Sequence, residues 1–195
     1  MTQIGITRDA NDGGRSDGTI SVQGRPHRRR RTRISASFAR RLSVLGVTVG
    51  LAARDVEKLK GLADETGGKT FAVDSADPSA VAKLFLDTER LLAEPDVVIY
   101  KASSRASGKL TDLDPSAVER CVAINAIGAF LVAQQAAKRM EPHGHGAILF
   151  TGATAGGKGS ARSAPFAMGK FAVRGSFPRQ GSRTAISIST RIAGE

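Results

Sequence analysis

Val47-Thr-Val-Gly-Leu-Ala-Ala53 is the first of four short apolar runs that decide the fold of this 195-residue chain. The other three runs occupy residues 70–73, 97–100 and 147–151. Each run has the length of a strand, and its β-branched and aromatic residues favour a strand that is buried in a sheet. The pattern therefore predicts four buried strands.

Helical patterns separate these runs, and residue types mark where the helices begin and end. Asp77-Pro78 and Asp114-Pro115 each combine an N-cap residue with a proline in the first turn. Gly67-Gly68 ends the helix that begins near Asp55. Strands that are separated by single helices pair in parallel through right-handed crossovers. We therefore predict an α/β fold with a doubly wound parallel sheet.

The two ends of the chain lack this regularity. Residues 1–33 are rich in Gly, Asp and Arg, and residues 19–22 are a weak strand candidate among them. Residues 176–195 are rich in Ser, Arg and Thr and have no periodic apolar face. We predict a basic, disordered segment over residues 1–33, a folded domain over residues 34–175 and an irregular tail over residues 176–195. A shifted reading frame in both flanks would explain the abrupt change of composition.

The net charge of +11 comes mainly from those ends. Residues 1–33 hold eight Arg and three Asp, whereas residues 34–173 hold 17 basic and 14 acidic side chains. The arginine-rich arm at residues 25–33 is typical of nucleic-acid binding, although a solvated tail is the commoner reason for such an arm. With 5% aromatic residues and no Trp, stacking platforms for bases are not evident. We expect a small-molecule substrate and no nucleic acid, and the oligomeric state stays open.

Cys121 is the single cysteine of the chain, which excludes an internal disulfide and fits a reducing cytoplasm. Its helical spacing from neighbouring valines favours a core position. Arg40-Arg41 before the apolar run at residues 42–53 is similar to a twin-arginine export signal, but the buried strand is the favoured interpretation. Because no apolar run reaches the length of a bilayer span, we expect no membrane partner.

His143 and His145 alternate in a glycine-rich turn. Two such ligands without nearby cysteine or acidic partners do not favour a metal site. We therefore expect no metal.

Three motifs follow one another in the second half of the chain: Ile124-Asn125-Ala-Ile-Gly128, Thr151-Gly-Ala-Thr-Ala-Gly-Gly157 and Phe166-Ala-Met-Gly-Lys170. Asn125 precedes Ala153 by 28 positions, Ala153 precedes Phe166 by 13, and Phe166 precedes Lys170 by 4. With these intervals and this succession of elements, about residues 35–175 resemble the short-chain dehydrogenase/reductase family. The resemblance implies a Rossmann-like three-layer sandwich that is here incomplete at both ends, and the four positions correspond to the family's catalytic Asn, Ser, Tyr and Lys.

The resemblance implies an NAD(P)-dependent oxidoreductase that acts on a small carbonyl or alcohol. In the family, the tyrosine protonates the carbonyl oxygen and the lysine lowers the pKa of that tyrosine and binds the nicotinamide ribose. The serine hydrogen-bonds the carbonyl, and the asparagine supports a water. Asn125 and Lys170 match the family, whereas Ala153 has no hydroxyl and Phe166 has no proton to give. We therefore expect impaired or absent catalysis, and a non-catalytic nucleotide-binding or interaction domain is the alternative.

Other residues offer partial substitutes for the lost groups. Four hydroxyl residues are candidates to replace the serine: Thr151, Thr154, Ser160 and Ser163. A water held by Asn125 and Lys170 is a candidate proton donor. For Tyr100, the single tyrosine, a packing role is favoured over that of an acid.

The resemblance also implies a cofactor site. Arg54 stands where NADP-preferring members carry a basic group for the 2′-phosphate, and an exposed residue before a helix is the equal alternative. Asp74, with Ser75 beside it, is similar to the acidic residue that contacts adenine. Ala102 is the residue kept from the family's Asn-Ala-Gly, and Lys170 reaches the ribose. We expect NADP as the cofactor, with NAD as the alternative.

The glycine-rich turn that holds the pyrophosphate in the family has no match in this chain. Residues 34–42 resemble the helix that follows that turn, but Arg25-Pro-His-Arg-Arg-Arg-Arg-Thr-Arg33 stands before it. Without a first strand the sheet divides into two halves with exposed edges, unless residues 19–22 fill the gap. No strand is predicted after the helix that begins at Lys170.

Overall fold

A computed structural model describes residues 4–8, 34–177 and 185–189, with side chains for residues 35–177. The strands are β1 (Ile4–Arg8), β2 (Thr48–Ala53), β3 (Lys69–Ala72), β4 (Val97–Tyr100), β5 (Ala147–Thr151) and β6 (Ala185–Ser189). The helices are α1 (Ile34–Val44), α2 (Lys60–Thr66), α3 (Pro78–Leu91), α4 (Pro115–Val122), α5 (Gly128–His143) and α6 (Ala164–Ser176), and a π-helical turn, Ala123–Ile127, joins α4 to α5.

The described strands form one six-stranded sheet in the order β3-β2-β1-β4-β5-β6. β2 pairs in parallel with β3, and β5 pairs in parallel with both β4 and β6. Strands β2 to β6 therefore all end at the same edge of the sheet, which we call the carboxyl edge. The doubly wound α/β fold predicted from the strand and helix pattern is confirmed.

Helices cover both faces of this sheet because successive side chains of a strand point to opposite faces. Val49, Leu51 and Ala53 of β2 pack with residues of α1 and α2. Ala52, on the other face, belongs to the larger core that α3 and α5 form over β4 and β5. The predicted strand is confirmed, and five of the six β2 residues are buried.

Two strands lie in the flanks where the sequence analysis predicted no regular structure. β1 occupies the gap between β2 and β4, with Ile4 opposite both Ala52 and Tyr100. It runs antiparallel to both neighbours, which the all-parallel prediction did not anticipate. An antiparallel strand satisfies the backbone groups of its neighbours equally well, so the two half-sheets are joined. β6 is a strand where none was predicted, and residues 19–22 lie outside the described residues.

Helix ends follow the predicted signals. The Asp77 carboxylate accepts from the backbone N–H groups of residues 79 and 80, and Asp114 accepts from those of residues 116 and 117. Gly67, with φ of 65°, ends α2 in the left-handed conformation that favours glycine. These caps begin α3 and α4 and end α2 where the sequence places them.

The run from Pro115 to His143 is one continuous helical stretch of 29 residues, long and apolar enough to qualify as a membrane span by length and composition. The sequence analysis was wrong that no apolar run reaches this length. The stretch serves as a core helix, because Ala129, Val132 and Met140 are buried in the main core. On the same stretch, Arg120 pairs with the carboxylate of Asp74, which follows β3, and Arg139 pairs with that of Glu89 in α3.

Candidate active site

The candidate site lies at the carboxyl edge, where β4 and β5 end and α6 packs against the π-helical turn. Lys101 follows β4, Thr151 ends β5, and Lys170 projects from the middle of α6. In α/β sheets of this kind, ligands bind beyond the carboxyl ends of the strands. The fold therefore brings these segments to the edge where a ligand is expected.

Lys170 is a buried cation. Its side chain is 5% exposed, and its ammonium donates to the Thr151 carbonyl oxygen at 2.9 Å. Burial lowers the pKa of Lys170 to about 8, and the nearby positive charges of Arg105 and Lys101 add to this shift. An ammonium has three donors, and Thr151 takes one of them. The remaining donors can bind acceptor groups of a ligand.

Phe166 lies one helical turn before Lys170 and is buried, with 4% of its surface exposed. The Lys170 nitrogen lies 5.8 Å from the centre of the phenyl ring. The guanidinium carbon of Arg105 lies 4.0 Å from the same centre, within the range of a cation–π contact. Arg105 is a site residue that the sequence analysis missed, and its place three residues after Ala102 in the loop following β4 was the available signal.

Asn125 lies in the π-helical turn, a local widening of the helix that often marks functional sites. Its amide nitrogen donates to the carbonyl oxygens of Ser104 and Cys121, each at 2.8 Å. Its oxygen is buried and has no hydrogen-bond partner among the described residues. A buried, unpaired acceptor is costly, so this oxygen is suited to accept a hydrogen bond from a bound water or ligand. Cys121 is fully buried beside it, as predicted for a core residue.

Packing joins the four predicted catalytic positions into one neighbourhood. Ala153 packs against the small cluster that contains Phe166 and Cys121. Gly169 of α6 is so close to the π-helical turn that a Cβ atom added there would lie 2.4 Å from the Cβ of Asn125. Since Gly169 precedes Lys170 directly, the same contact sets the position of α6, and with it Lys170, against Asn125.

Tyr100 packs in the core, as predicted, and does not replace the lost acid. It is 2% exposed, and its hydroxyl donates to the Ile124 carbonyl oxygen and lies 3.2 Å from the Ser75 hydroxyl. Burial raises the pKa of Tyr100 well above its usual value. A Cβ atom added at Gly128 would lie 2.5 Å from this hydroxyl, so the glycine makes room for it.

The residues predicted to bind the cofactor divide into two groups. Arg54 is exposed, and its charge helps to lower the pKa of Asp74, so the two lie near each other after β2 and β3. Burial acts to raise the pKa of Asp74, but the hydrogen bond and charge of Arg120 outweigh it. Ser75 and Ala102, in contrast, are fully buried. Only Arg54 and Asp74 of these four therefore present side chains to a ligand at the surface.

The hydroxyl groups near Ala153 differ in availability. Ser160 and Ser163 bond each other at 2.7 Å, and the Thr151 hydroxyl lies 3.5 Å from the Tyr100 carbonyl oxygen. Thr154 is exposed at the start of the short helical turn Thr154–Gly156. Its hydroxyl makes no hydrogen bond within the described part of the chain, so it is the most available replacement for the serine.

The two histidines do have acidic partners, contrary to the sequence analysis. His143 pairs with Glu94, and the ring nitrogen of His145 lies 3.6 Å from the Asp96 carboxylate. Over residues 34–177, no group of three or more His, Cys, Asp or Glu side chains is arranged to hold a metal ion.

Comparison with known proteins shows which proteins this chain resembles. The chain is 33% identical over 118 residues to versicolorin reductase 1 of Aspergillus parasiticus, covering 60% of this chain and 44% of that protein. It is 29% identical over 144 residues to the 3-oxoacyl-(acyl-carrier-protein) reductase MabA of Mycobacterium bovis, covering 73% and 55%. The chain thus spans about half the length of the curated relatives it matches.

A metagenomic short-chain oxidoreductase solved in complex with NADP has a similar fold. The TM-score is 0.75 at 25% sequence identity, covering 80% of this chain and 75% of that one. The family profile described as short chain dehydrogenase matches residues 32–185, well over half of the chain. This chain belongs to the short-chain dehydrogenase/reductase family.

Proposed function

We propose that this chain is an NADP-dependent oxidoreductase of a small carbonyl or alcohol, with much slower catalysis than family members that carry the tyrosine. The observation that supports this most is that a buried ammonium, Lys170, lies near Phe166 while the buried amide oxygen of Asn125 has no hydrogen-bond partner among the described residues. Burying a cation costs free energy unless a partner compensates its charge.

Residues at the carboxyl edge could bind both the nicotinamide end and the adenosine end of a dinucleotide. Lys170 would hold the nicotinamide ribose, because its two remaining donors match a pair of hydroxyl groups. Arg54 and Asp74 would hold the adenosine end, the guanidinium serving a 2′-phosphate. Ser75 and Ala102 are fully buried, so they would support this site by packing beneath it and would not touch the cofactor with their side chains. When bound, NADPH would supply a hydride to the substrate carbonyl carbon.

Proton transfer to the carbonyl oxygen is the step in which this chain departs from its family. Phe166 has none to give, and the hydroxyl of Tyr100 is turned into the core. In our proposal a water between the Asn125 oxygen and the Lys170 ammonium gives its proton to the carbonyl oxygen as the hydride reaches the carbonyl carbon. The hydroxide that remains takes a proton from the Lys170 ammonium, which regains one from solvent, and Thr154 supplies the hydrogen bond of the missing serine. A positioned acid is worth roughly a hundredfold to ten-thousandfold in rate, so its loss makes the reaction slow but does not exclude it.

A nucleotide-binding domain without catalysis is the second candidate, favoured by the same loss of Phe166's hydroxyl. For both candidate functions we expect the protein to act in the cytoplasm, because Cys121 is a free, buried thiol. Neither candidate requires a membrane or a nucleic acid. The arginine-rich arm at residues 25–33 lies outside the described residues.

Direct titration with NADPH and NADH tests the proposal. We expect saturable binding of NADPH to the purified full chain, followed by nucleotide fluorescence, and weaker binding of NADH. Arg54→Gln should reduce the preference for NADPH, and Lys60→Gln, an exposed lysine on α2, is the control. Circular dichroism establishes that each protein is folded. A folded chain that binds neither nucleotide would refute both candidates.

A further inference from the structure

Two cationic side chains, Arg105 and Lys170, lie at the Phe166 ring, and the proposed cofactor site gives no role to Arg105. We propose that Arg105, assisted by the charges of Lys101 and Lys170, binds the carboxylate of the substrate, which is then a small oxo acid. The proposal rests on the function proposed above, since the carboxylate belongs to the carbonyl compound that this site would reduce.

The ring holds the Arg105 guanidinium in place. The guanidinium carbon lies 4.0 Å from the ring centre, so the planar cation stacks against the electron-rich face. Arg105 is exposed, whereas Phe166 beneath it is buried. The contact fixes the cation without covering its outer side, and its donors can reach a ligand that arrives from solvent. A guanidinium so placed matches the two oxygens of a carboxylate.

Arg105 and Lys170 have no carboxylate partner in the part of the chain whose side chains the structure describes. Arg40, Arg120 and Arg139, by contrast, each pair with a carboxylate of the protein. The charges of Arg105 and Lys101 also act on the Lys170 ammonium and disfavour its charged form. A bound anion would relieve this repulsion.

The position of the cluster favours the substrate over the cofactor as the source of the anion. Phe166 stands at the family's tyrosine position, next to the carbonyl that is reduced. The 2′-phosphate is expected at Arg54, which follows β2, whereas Arg105 follows β4 and lies on the other side of β1 in the sheet. A carboxylate at Arg105 would therefore lie beside the reacting carbonyl.

Binding of pyruvate and of its uncharged methyl ester, measured by calorimetry on the full chain with NADPH present and absent, tests the proposal. We expect pyruvate to bind about tenfold or more tightly than the ester, as one charge-assisted hydrogen bond provides. Arg105→Gln should abolish this preference and leave NADPH affinity unchanged. Arg90→Gln is the matched control, because Arg90 lies in the last turn of α3, at the edge of the sheet opposite the cluster.

Three results would overturn the inference. The first is equal binding of pyruvate and the ester, and the second is a pyruvate preference that survives Arg105→Gln. The third is a loss of NADPH affinity in Arg105→Gln, which would assign the cluster to the cofactor phosphates. If pyruvate binds selectively but NADPH does not bind at all, the anion site stands and the proposed oxidoreductase function fails.

Discussion

The ammonium nitrogen of Lys170 lies 5.8 Å from the ring centre of Phe166, one turn away on the same helix. In the family, this lysine lowers the pKa of a tyrosine hydroxyl at the position of Phe166. Here the ring carries no hydroxyl, and a second cation, Arg105, stacks on it at 4.0 Å. Lys170 is therefore buried beside a ring that has no proton to give and that a second cation covers.

Restoring the hydroxyl should restore catalysis. Phe166→Tyr is expected to raise kcat for NADPH-dependent carbonyl reduction by roughly a hundredfold or more, since it returns a positioned acid beside Lys170. Steady-state oxidation of NADPH, followed by absorbance, measures the effect. Phe166→Leu controls for disturbed packing and should give no gain. Absence of any gain in a folded, NADPH-binding Phe166→Tyr protein would contradict the catalytic assignment.

The buried Lys170 makes stability depend on pH in a defined window. Its pKa is about 8 in the folded protein, against its usual 10.5. Between these values the unfolded chain binds more protons than the folded one, so stability rises with pH. Relative to Lys170→Met, the wild-type protein should gain up to about 3 kcal/mol from pH 8 to 10.5. Urea unfolding at several pH values measures this, and a constant difference between the proteins would disprove the shift.

Tyr100 should prove structural. Tyr100→Phe removes the donor to the buried Ile124 carbonyl oxygen, which should lower the free energy of unfolding by about 1–3 kcal/mol. Urea denaturation measures the loss. NADPH affinity and any residual turnover, corrected for the folded fraction, should change little. A loss of turnover comparable to that expected for an essential acid would assign Tyr100 to the chemistry instead.

Gly169 should be intolerant of a side chain. In Gly169→Ala the new methyl group would lie 2.4 Å from the Cβ of Asn125, so α6 must move from the π-helical turn. We expect a loss of about 1–3 kcal/mol of stability, as for other overpacked cores, together with weaker NADPH binding. Thermal unfolding and nucleotide titration measure the two effects.

Gly175→Ala, on the same helix, is the control for Gly169→Ala. Apart from its own chain neighbours and helix backbone, no atom of the described residues lies within 4 Å of a Cβ atom added there, so stability should stay equal or rise slightly. Equal behaviour of the two variants would show that the contact between α6 and Asn125 is not tight.

Much of the fold follows from local signals. Strands β2 to β5 and the caps at Asp77 and Asp114 lie where the pattern predicts them, since apolar periodicity and capping chemistry act over a few residues. β1 and β6 escaped prediction because both are five-residue strands inside flanks of polar composition. Both are strands because of pairing with strands far away in the chain: β1 pairs with β2 and β4, and β6 pairs with β5.

The order and spacing of residues along the chain were enough to give the family and the four positions Asn125, Ala153, Phe166 and Lys170. The tertiary structure decided what surrounds them. In the structure β1 runs antiparallel to its neighbours and Tyr100 lies in the core. The Asn125 oxygen has no hydrogen-bond partner among the described residues, and Arg105 lies over the Phe166 ring. Spacing can be read along the chain without knowledge of the fold, whereas these contacts join segments that only folding brings together.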